Sequence, residues 1–265
     1  MTDLAEITAA NRAAWDASAP LHRQTAEWDE LVEGFAQPGF SVLDETLTAT
    51  LSSLQPRGKR VVQIGCNNGR ELLSMAALGA VPALGIDQSS AFLEQAEQLA
   101  AIAGAHCRFL CADIYDLPPD APGGFDLGLI TIGVLNWMPD LERFFAVAAE
   151  LLAPNAPLVI YETHPILEMF DPEAADPFKP VRSYFEREPF VSNEAITYDG
   201  SREQTSMDSY WFPHTLGGIV TACAAAGFAI ERLCEHPHSN REVDYDIYTQ
   251  RPAQLPMCFT LVARK

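Results

Sequence analysis

The sequence is poor in basic residues, and lysine is scarcest of all. Its 265 residues include 36 acidic and 17 basic side chains, for a formal net charge of −19, and only three residues are lysine. Such a field repels nucleic-acid phosphates and anionic lipid surfaces, so we expect neither nucleic acid nor a membrane as partner. A neutral or cationic small molecule fits the charge better, although solubility alone explains the acidity equally well.

Two further patterns are missing, a paired-cysteine motif and a long apolar run. The six cysteines lie mostly inside apolar runs and show no Cys-x-x-Cys pair, so we expect reduced core thiols and no metal site. No uncharged run approaches the roughly 20 apolar residues that cross a bilayer. The first residues also lack the basic and apolar segments of a secretory signal, and we therefore expect a cytoplasmic protein. No pattern indicates an oligomeric state.

What the chain does have is a regular alternation of strand and helix patterns from residue 59 to residue 164. Strands are predicted at residues 60–64, 83–86, 106–111, 125–132 and 158–163. Helices between them imply a doubly wound α/β protein with a mostly parallel sheet. Two later strands, 228–233 and 257–262, are joined by a loop without a helix, so we expect them to pair antiparallel.

Two segments lie outside this alternation. Residues 1–57 predict three helices, at 2–15, 25–35 and 41–54, which we interpret as an N-terminal helical cover. Residues 165–212 are rich in proline, aromatic and acidic residues and show no clean periodicity. A stretch this long without regular structure is usually functional or mobile. We call it the insertion, interpret it as an aromatic lid, and assign residues 58–164 and 213–265 to the core.

The most informative segment runs from Val61 to Glu71 and joins an apolar strand, a glycine turn and a helix start. Gly65 and Gly69 allow the backbone to pass close to a ligand, because a Cβ there fills the space. The next strand ends in Asp87, an acid placed to accept hydrogen bonds from ribose hydroxyls. The pattern predicts a site for a nucleoside-bearing cofactor. Nicotinamide dehydrogenases share it, but this chain has no Tyr-x-x-x-Lys pair and its last two strands lack a helix between them.

In combination, the segments of the core resemble the class I S-adenosylmethionine-dependent methyltransferases, in their small-molecule branch. The likeness is strong over residues 58–164 and weaker over 214–264, and the matching segments are Gln63–Gly69, Gly85–Asp87, Cys111–Pro118, Phe125–Gly133, Met138–Leu141 and Leu151–Pro154. The resemblance implies a seven-stranded Rossmann-like sheet with an antiparallel final strand pair. It also implies S-adenosyl-L-methionine as cofactor and methyl transfer to an O, N or S atom of a small molecule.

The resemblance also assigns cofactor contacts along the strand ends. It implies ribose binding by Asp87 with Gln88 beside it, and adenine binding by Asp113 with Ile114 against the ring. The glycine loop and the end of the fourth strand, Thr131 to Gly133, then face the sulfonium end. For the carboxylate of the cofactor, the candidates in the helical cover are Trp15, His22 and Arg23.

The glycine loop departs from the family pattern at two positions. Gln63 stands where the family usually has an acid, and Asn67 stands at the usual middle glycine. The carbonyl of Gln63 can still accept a hydrogen bond from the cofactor's amino group, but without full charge. Both residues also fit a purely structural role in capping the turn.

Candidates for catalysis follow the fourth and fifth strands and the insertion. His164 and His214 titrate near neutral pH and are candidate bases, although either also fits a role in binding backbone. Asn136 and Trp137 follow the fourth strand, where relatives line the substrate cavity. A metal site using His214 with the later histidines lacks an acidic partner at helical spacing and is disfavoured. Aromatic rings of the insertion suit a sulfonium or an amine, or a lid that folds on itself.

Two other functions keep the same cofactor. One is a cyclase or lyase of the azetidine-2-carboxylate synthase type, which releases methylthioadenosine and needs the cofactor's amine neutral, as Gln63 favours. The other is a non-catalytic cofactor-binding regulator.

Overall fold

The strand patterns form two separate sheets. The computed structural model describes residues 3–198, 200 and 204–265. The strands are β1 (Arg60–Ile64), β2 (Val81–Asp87), β3 (Arg108–Cys111), β4 (Leu127–Thr131), β5 (Pro157–Thr163), β6 (Phe190–Glu194), β7 (Gln204–Trp211), β8 (Ala229–His236) and β9 (Cys258–Arg264). Seven of them form one sheet in the order β3-β2-β1-β4-β5-β9-β8, and β6 pairs with β7 in the other.

The topology of the large sheet confirms the predicted fold class. Strands β1 to β5 are parallel, whereas β9 runs antiparallel to both of its neighbours, β5 and β8. The chain leaves β1 toward β2 on one side and later returns to β4 on the other. This reversal of strand order opens a crevice at the carboxyl ends of β1 and β4, where ligands of such sheets bind.

The described residues form seven α-helices beside the strands. They are α1 (Leu4–His22), α2 (Ala26–Phe35), α3 (Glu45–Ser53), α4 (Arg70–Ser74), α5 (Ser90–Ala103), α6 (Leu141–Leu151) and α7 (Leu216–Ala225). Ser89 caps α5, because its hydroxyl accepts a hydrogen bond from the amide of Phe92. None of the helices in the described ranges has the length and apolar character needed to cross a bilayer.

Two of the predicted N-terminal helices have different bounds. Helix α1 continues to His22 instead of ending at residue 15, and the residue predicted to start it, Thr2, lies outside the described residues. Helix α3 begins after Asp44, not at Ser41, because the Asp44 carboxylate accepts the amide of Leu47 at 2.8 Å.

Each face of the sheet is covered by its own set of helices. Val62 points to a core shared with α6 and α7, whereas its neighbour Val61 points to a core shared with α3 and α4. Successive side chains of a strand alternate between the faces. Because the buried strands are apolar on both faces, this alternation is not visible in the sequence as polar and apolar residues.

The expectation of an insertion without regular structure is wrong. It contains a 3-10 helix at Pro165–Met169 and the hairpin of β6 and β7. The buried side chain of Asn11 in α1 holds the hairpin, since its amide donates to the Tyr210 carbonyl at 3.0 Å and its oxygen accepts the Tyr210 amide at 2.7 Å. The hairpin escaped prediction because its strands carry polar residues on both faces.

Candidate functional site

A cavity of about 970 Å³ opens at the carboxyl ends of β1, β2 and β4. Small-molecule and cofactor sites measure about 300–1,000 Å³, so this cavity is at the upper end of their range. Its wall has a core half, made by the strand ends and the glycine loop. It also has an insertion half, made by residues of the insertion and of the segment 241–246.

The glycine loop forms the floor of the core half. Gly65, Asn67 and Gly69 all have positive φ, at 66°, 49° and 74°. A Cβ on Gly65 would lie 2.7 Å from the side chain of Val134, and one on Gly69 would lie 3.0 Å from Phe109. The two glycines therefore make room for the protein's own side chains, a reason different from the ligand approach expected from the sequence. Gly69 lies below the cavity wall.

Asp87 lies at the end of β2 and lines the cavity beside Gln88. One carboxylate oxygen accepts the Asn67 amide at 2.7 Å and the other accepts the Ser89 amide at 2.9 Å. Burial raises the pKa of Asp87, against the effect of these donors. A carboxylate has about four acceptor positions, so two further donors such as ribose hydroxyls fit this group.

Gln63 supplies the most specific sign of a ligand. Its side chain lines the cavity although the residue is only 1% exposed, and its amide donates to the Thr131 hydroxyl at 2.9 Å. The carbonyl oxygen of that side chain has no hydrogen-bond partner among the described residues. Leaving a buried acceptor unpaired costs about 1–3 kcal/mol. A ligand with a donor at this position, such as the ammonium of S-adenosylmethionine, therefore fits the cavity.

The segment after β3 contributes apolar side chains to the core half. Ile114 and Tyr115 are both buried and line it, and Asp113 lines it beside them. The Asp113 carboxylate accepts the Tyr115 amide at 2.9 Å, which fixes the turn. An apolar wall beside a carboxylate acceptor suits an adenine ring and its exocyclic amine.

Sequence reasoning missed the group that holds the loop after β4. This loop carries Ile132 and Gly133 at φ of 34° and 86°. The buried carboxylate of Glu162 accepts the amides of Gly133 and Leu135, the second at 3.1 Å. Burial raises the pKa of Glu162 to about 7, opposed by these amides. The sequence signal that could have revealed Glu162 is an acidic residue within the otherwise apolar pattern of β5.

Three tryptophans form the roof between the two halves of the cavity. The Trp137 ring meets Trp15 of α1 edge-on at a centroid distance of 5.3 Å and Trp211 of β7 at 5.1 Å. All three rings line the cavity. The roof therefore joins the N-terminal helices, the core and the insertion above one site.

Two of the predicted carboxylate ligands lie outside the cavity wall. Arg23 is exposed, and its guanidinium lies 5.8 Å from the ring centre of Trp28. His22 is buried, and its Nε2 contacts the Ile196 carbonyl at 2.8 Å. His22 thus ties α1 to the insertion, and Trp15 alone of the three reaches the wall.

Neither predicted histidine base lines the cavity. His164 Nε2 donates to Glu235 at 2.8 Å, while Nδ1 accepts the Ile166 amide at 3.1 Å. His214 contacts the Met138 carbonyl at 2.9 Å. Burial lowers the pKa of both imidazoles. These contacts fit the structural alternative, in which each histidine holds a loop.

Asn136 also ties loops together instead of facing a ligand. Its amide donates to the Phe212 carbonyl at 3.0 Å, and the Phe212 amide donates to the Asn136 carbonyl at 2.7 Å. These bonds fasten the end of β7 to the loop after β4. Trp137, the neighbouring candidate, does line the cavity.

The insertion half of the wall contains acids that sequence reasoning did not select. Glu168 of the 3-10 helix accepts the indole N–H of Trp211 at 3.0 Å, and burial raises its pKa. Burial and the like charges of nearby acids raise the pKa of Glu242 to about 7. Both lie in segments without periodicity, so no pattern directed attention to them. Among the described residues, no three His, Cys, Asp or Glu side chains group as a metal site.

Comparisons with known proteins agree with this geometry. Residues 61–155 match the model of a methyltransferase domain family. The ubiquinone biosynthesis O-methyltransferase of Neisseria meningitidis is 32% identical over 108 residues, 40% of this chain and 44% of that protein. The 27-O-demethylrifamycin SV methyltransferase of Amycolatopsis mediterranei is 34% identical over 155 residues, 55% of each chain. The chain thus spans about half the length of the curated relatives it matches.

A solved structure shows the same fold at lower identity. The 1,6-didemethyltoxoflavin-N1-methyltransferase of Burkholderia thailandensis, with bound 1,6-didemethyltoxoflavin and S-adenosylhomocysteine, superposes with a TM-score of 0.56. It is 16% identical, and the match covers 100% of this chain and 91% of that one. Residues 61–155 are thus similar to a methyltransferase domain, and the fold of the chain is the one seen in S-adenosylmethionine-dependent methyltransferases of known structure.

Proposed function

We propose that this protein transfers a methyl group from S-adenosylmethionine to an O, N or S atom of a small molecule bound beneath the insertion. The observation that carries the proposal is the buried, unpaired side-chain carbonyl oxygen of Gln63, a residue that lines the cavity of about 970 Å³. The names of the relatives from Neisseria and Amycolatopsis, both methyltransferases, support it.

In this proposal the core half holds the cofactor. Asp87 and Gln88 bind the ribose, Asp113 and Ile114 bind the adenine, and Gln63 accepts a bond from the ammonium. Thr131 supports Gln63 by accepting its amide. When bound, S-adenosylmethionine supplies an activated methyl group on its sulfonium.

The chain's own contribution is then alignment and exclusion of water. The roof of Trp15, Trp137 and Trp211 covers the junction of the two halves, where the methyl group has to pass. A nucleophile that arrives protonated needs an acceptor in the wall. Because no histidine lines the described part of the cavity, the wall offers carboxylates of raised pKa, such as Glu242, as the acceptor.

Turnover with and without a second substrate tests the proposal. Purified protein is incubated with S-adenosylmethionine alone, then with a panel of phenols, amines and thiols, and the nucleoside products are separated by chromatography. We expect S-adenosylhomocysteine to form only when an acceptor is added. Cofactor binding without turnover across the panel would instead favour the regulator.

One observation keeps the cyclase alternative under test. The neutral amide of Gln63 stands where the family usually has an acid, so its carbonyl accepts a bond from the cofactor's amine without full charge. A neutral amine is the nucleophile that cyclisation requires. Methylthioadenosine released from the cofactor alone, without any acceptor, would replace methyl transfer by this function.

A further inference from the structure

Where β4 leaves the large sheet, a side chain of β5 accepts the hydrogen bonds of the departing loop. The pairing of the two backbones ends with the Ile132 amide, which donates to the Tyr161 carbonyl at 2.9 Å. The amides of Gly133 and Leu135 then donate to the carboxylate of Glu162, the second at 3.1 Å. The Glu162 side chain therefore continues the hydrogen bonding of the sheet in place of backbone carbonyls.

The backbone of this loop has a conformation that its sequence does not favour. Ile132 has a φ of 34°, and a β-branched residue at positive φ is a steric outlier. Gly133 follows at a φ of 86°. Such a conformation persists only where surrounding contacts enforce it. The hydrogen bonds to Tyr161 and Glu162 are such contacts, so the shape of the loop depends on the carboxylate.

The same loop contacts both the floor and the roof of the cavity. On the floor, the Val134 side chain occupies the room that Gly65 leaves, since a Cβ on Gly65 would lie 2.7 Å from it. At the roof, a Cβ on Gly133 would lie 3.8 Å from the Trp211 ring, and Trp137 follows in a 3-10 helix. A shift of the loop therefore moves both surfaces that enclose a ligand.

The ionised form of Glu162 suits the loop better than the neutral form. A carboxylate accepts hydrogen bonds at both oxygens, whereas the neutral acid has an O–H donor on one of them. A donor that faces an amide donor forms no bond, so protonation weakens the hold on the loop. Burial raises the pKa of Glu162 to about 7, and the amides of Gly133, Leu135 and Val134 oppose that rise. The residue thus changes its charge near neutral pH.

The groups that face Glu162 are uncharged, with one exception. The loop supplies amides, and the neighbour of Glu162 on β9 is Phe259. The exception is Glu242, because burial, the charge of Asp244 and then the charge of Glu162 raise its pKa to about 7. A test of pH dependence therefore has to separate these two acids.

We propose that Glu162 is a positioning residue, whose ionised carboxylate holds the loop after β4 in the shape that binds S-adenosylmethionine and whose neutral form releases it. Glu162 is not among the residues that line the described part of the cavity, so it acts through the loop and not on the ligand. The charge that burial opposes is thus the one that shapes the site. This inference deepens the proposed function and rests on it.

Affinity for S-adenosylhomocysteine at two pH values tests the inference. Calorimetry at pH 6 and pH 8 compares the parent with Glu162→Gln, which keeps the shape of the side chain but cannot ionise. We expect the parent to bind about threefold or more tightly at pH 8, where most of the carboxyl is ionised. Glu162→Gln should bind weakly at both values, with less than about a threefold difference. Glu94→Gln, which neutralises an exposed glutamate of α5, keeps the rise.

A merely structural role of Glu162 predicts a different result. In that case Glu162→Gln unfolds at a lower urea concentration and loses affinity equally at both pH values. The positioning role predicts that at pH 8 the variant unfolds at no lower urea concentration than the parent, because it buries no charge, although it binds more weakly.

Glu242→Gln separates the second acid and leaves Glu162 in place. We expect the rise in affinity between pH 6 and pH 8 to persist in this variant, because the loop after β4 still has its carboxylate. This measurement also keeps the inference testable if Glu162→Gln does not fold.

The outcomes separate the inference from the proposed function. A rise below about threefold in the parent, or a rise that persists in Glu162→Gln, overturns the inference while the cofactor still binds. A rise that disappears in Glu242→Gln overturns its assignment to Glu162. Failure to bind either S-adenosylmethionine or S-adenosylhomocysteine at both pH values overturns the proposed function itself.

Discussion

At the scale of single residues, Gln63 and Asp87 both line the cavity but differ in how far the protein itself satisfies their hydrogen-bonding groups. Asp87 already accepts two backbone amides and fixes the glycine loop while it faces the cavity. Gln63 is held by Thr131 through its amide and leaves its carbonyl oxygen unpaired. Asp87 therefore has a structural role and lines the site as well. The side-chain carbonyl oxygen of Gln63, in contrast, can gain a hydrogen bond only from a ligand.

Replacing Gln63 tests whether its side-chain carbonyl oxygen binds the amino-acid end of the cofactor. We expect Gln63→Leu, which keeps the volume, to weaken S-adenosylhomocysteine binding about tenfold, the value of one buried hydrogen bond. Methylthioadenosine lacks the amino-acid end, so its affinity stays within about twofold. Calorimetry with both ligands measures the difference. Equal losses for the two ligands would place Gln63 elsewhere in the site.

Replacing Asp87 tests the ribose contact. Asp87→Asn retains one acceptor oxygen for the loop but loses the charge, and charge-assisted bonds are the strong ones. We expect affinity for both S-adenosylhomocysteine and methylthioadenosine to fall about tenfold or more. Asp120→Asn, which changes an exposed carboxylate outside the cavity wall, is the matched control. Unchanged affinity in Asp87→Asn would show that the ribose binds elsewhere.

At the scale of elements, α1 holds the hairpin of the insertion through one buried side chain. Asn11 bonds to both backbone groups of Tyr210, as a neighbouring strand does. We expect Asn11→Ala to destabilise the protein by about 2–3 kcal/mol, because both groups lose their partner. Hydrogen exchange should accelerate in β6 and β7 and stay slow in β1 and β2. Asn193→Ala, an exposed change in the same hairpin, should leave both rates unchanged.

The parts of the fold predictable from sequence are those fixed by local pattern. β1 was predicted with its observed bounds, because an apolar run ending in glycine leaves little choice. The hairpin was missed because its strands carry polar residues on both faces, and Asn11, which holds it, is distant in sequence. The start of α3 was misplaced because Ser41, Asp44 and Glu45 offer competing caps.

The residues of the candidate site also differ in how far the sequence predicts them. Asp87 was expected at the cavity because it ends a strand of the parallel sheet, and Asp113 and Thr131 were expected there from the resemblance; all three line it. His164 and His214 also follow strand ends. Both lie in loops, however, and tertiary contacts, which the spacing of residues in the sequence does not reveal, determine where their side chains point. Glu168 and Glu242 were not found because they come from segments without periodicity.

At the scale of the whole molecule, the excess of acid makes stability depend on pH. Glu162 and Glu242 each have a pKa raised to about 7 from an ordinary value of 4.5. Between those values the unfolded chain has lost protons that the folded chain keeps at these two residues, so their contribution to stability falls as pH rises. Below pH 4 both states are protonated, and the effect is absent.

Removing the Glu242 carboxylate measures its contribution to the pH dependence of stability. We expect Glu242→Gln to be about 1–3 kcal/mol more stable than the parent at pH 8, because the charge that burial and neighbouring acids oppose is gone. At pH 4 the two proteins should be equally stable, since the parent glutamate is then neutral in both states. Urea unfolding at both pH values measures this, with Glu94→Gln as the exposed control. A gain of the same size at pH 4 would mean that packing, and not charge, separates the variant from the parent.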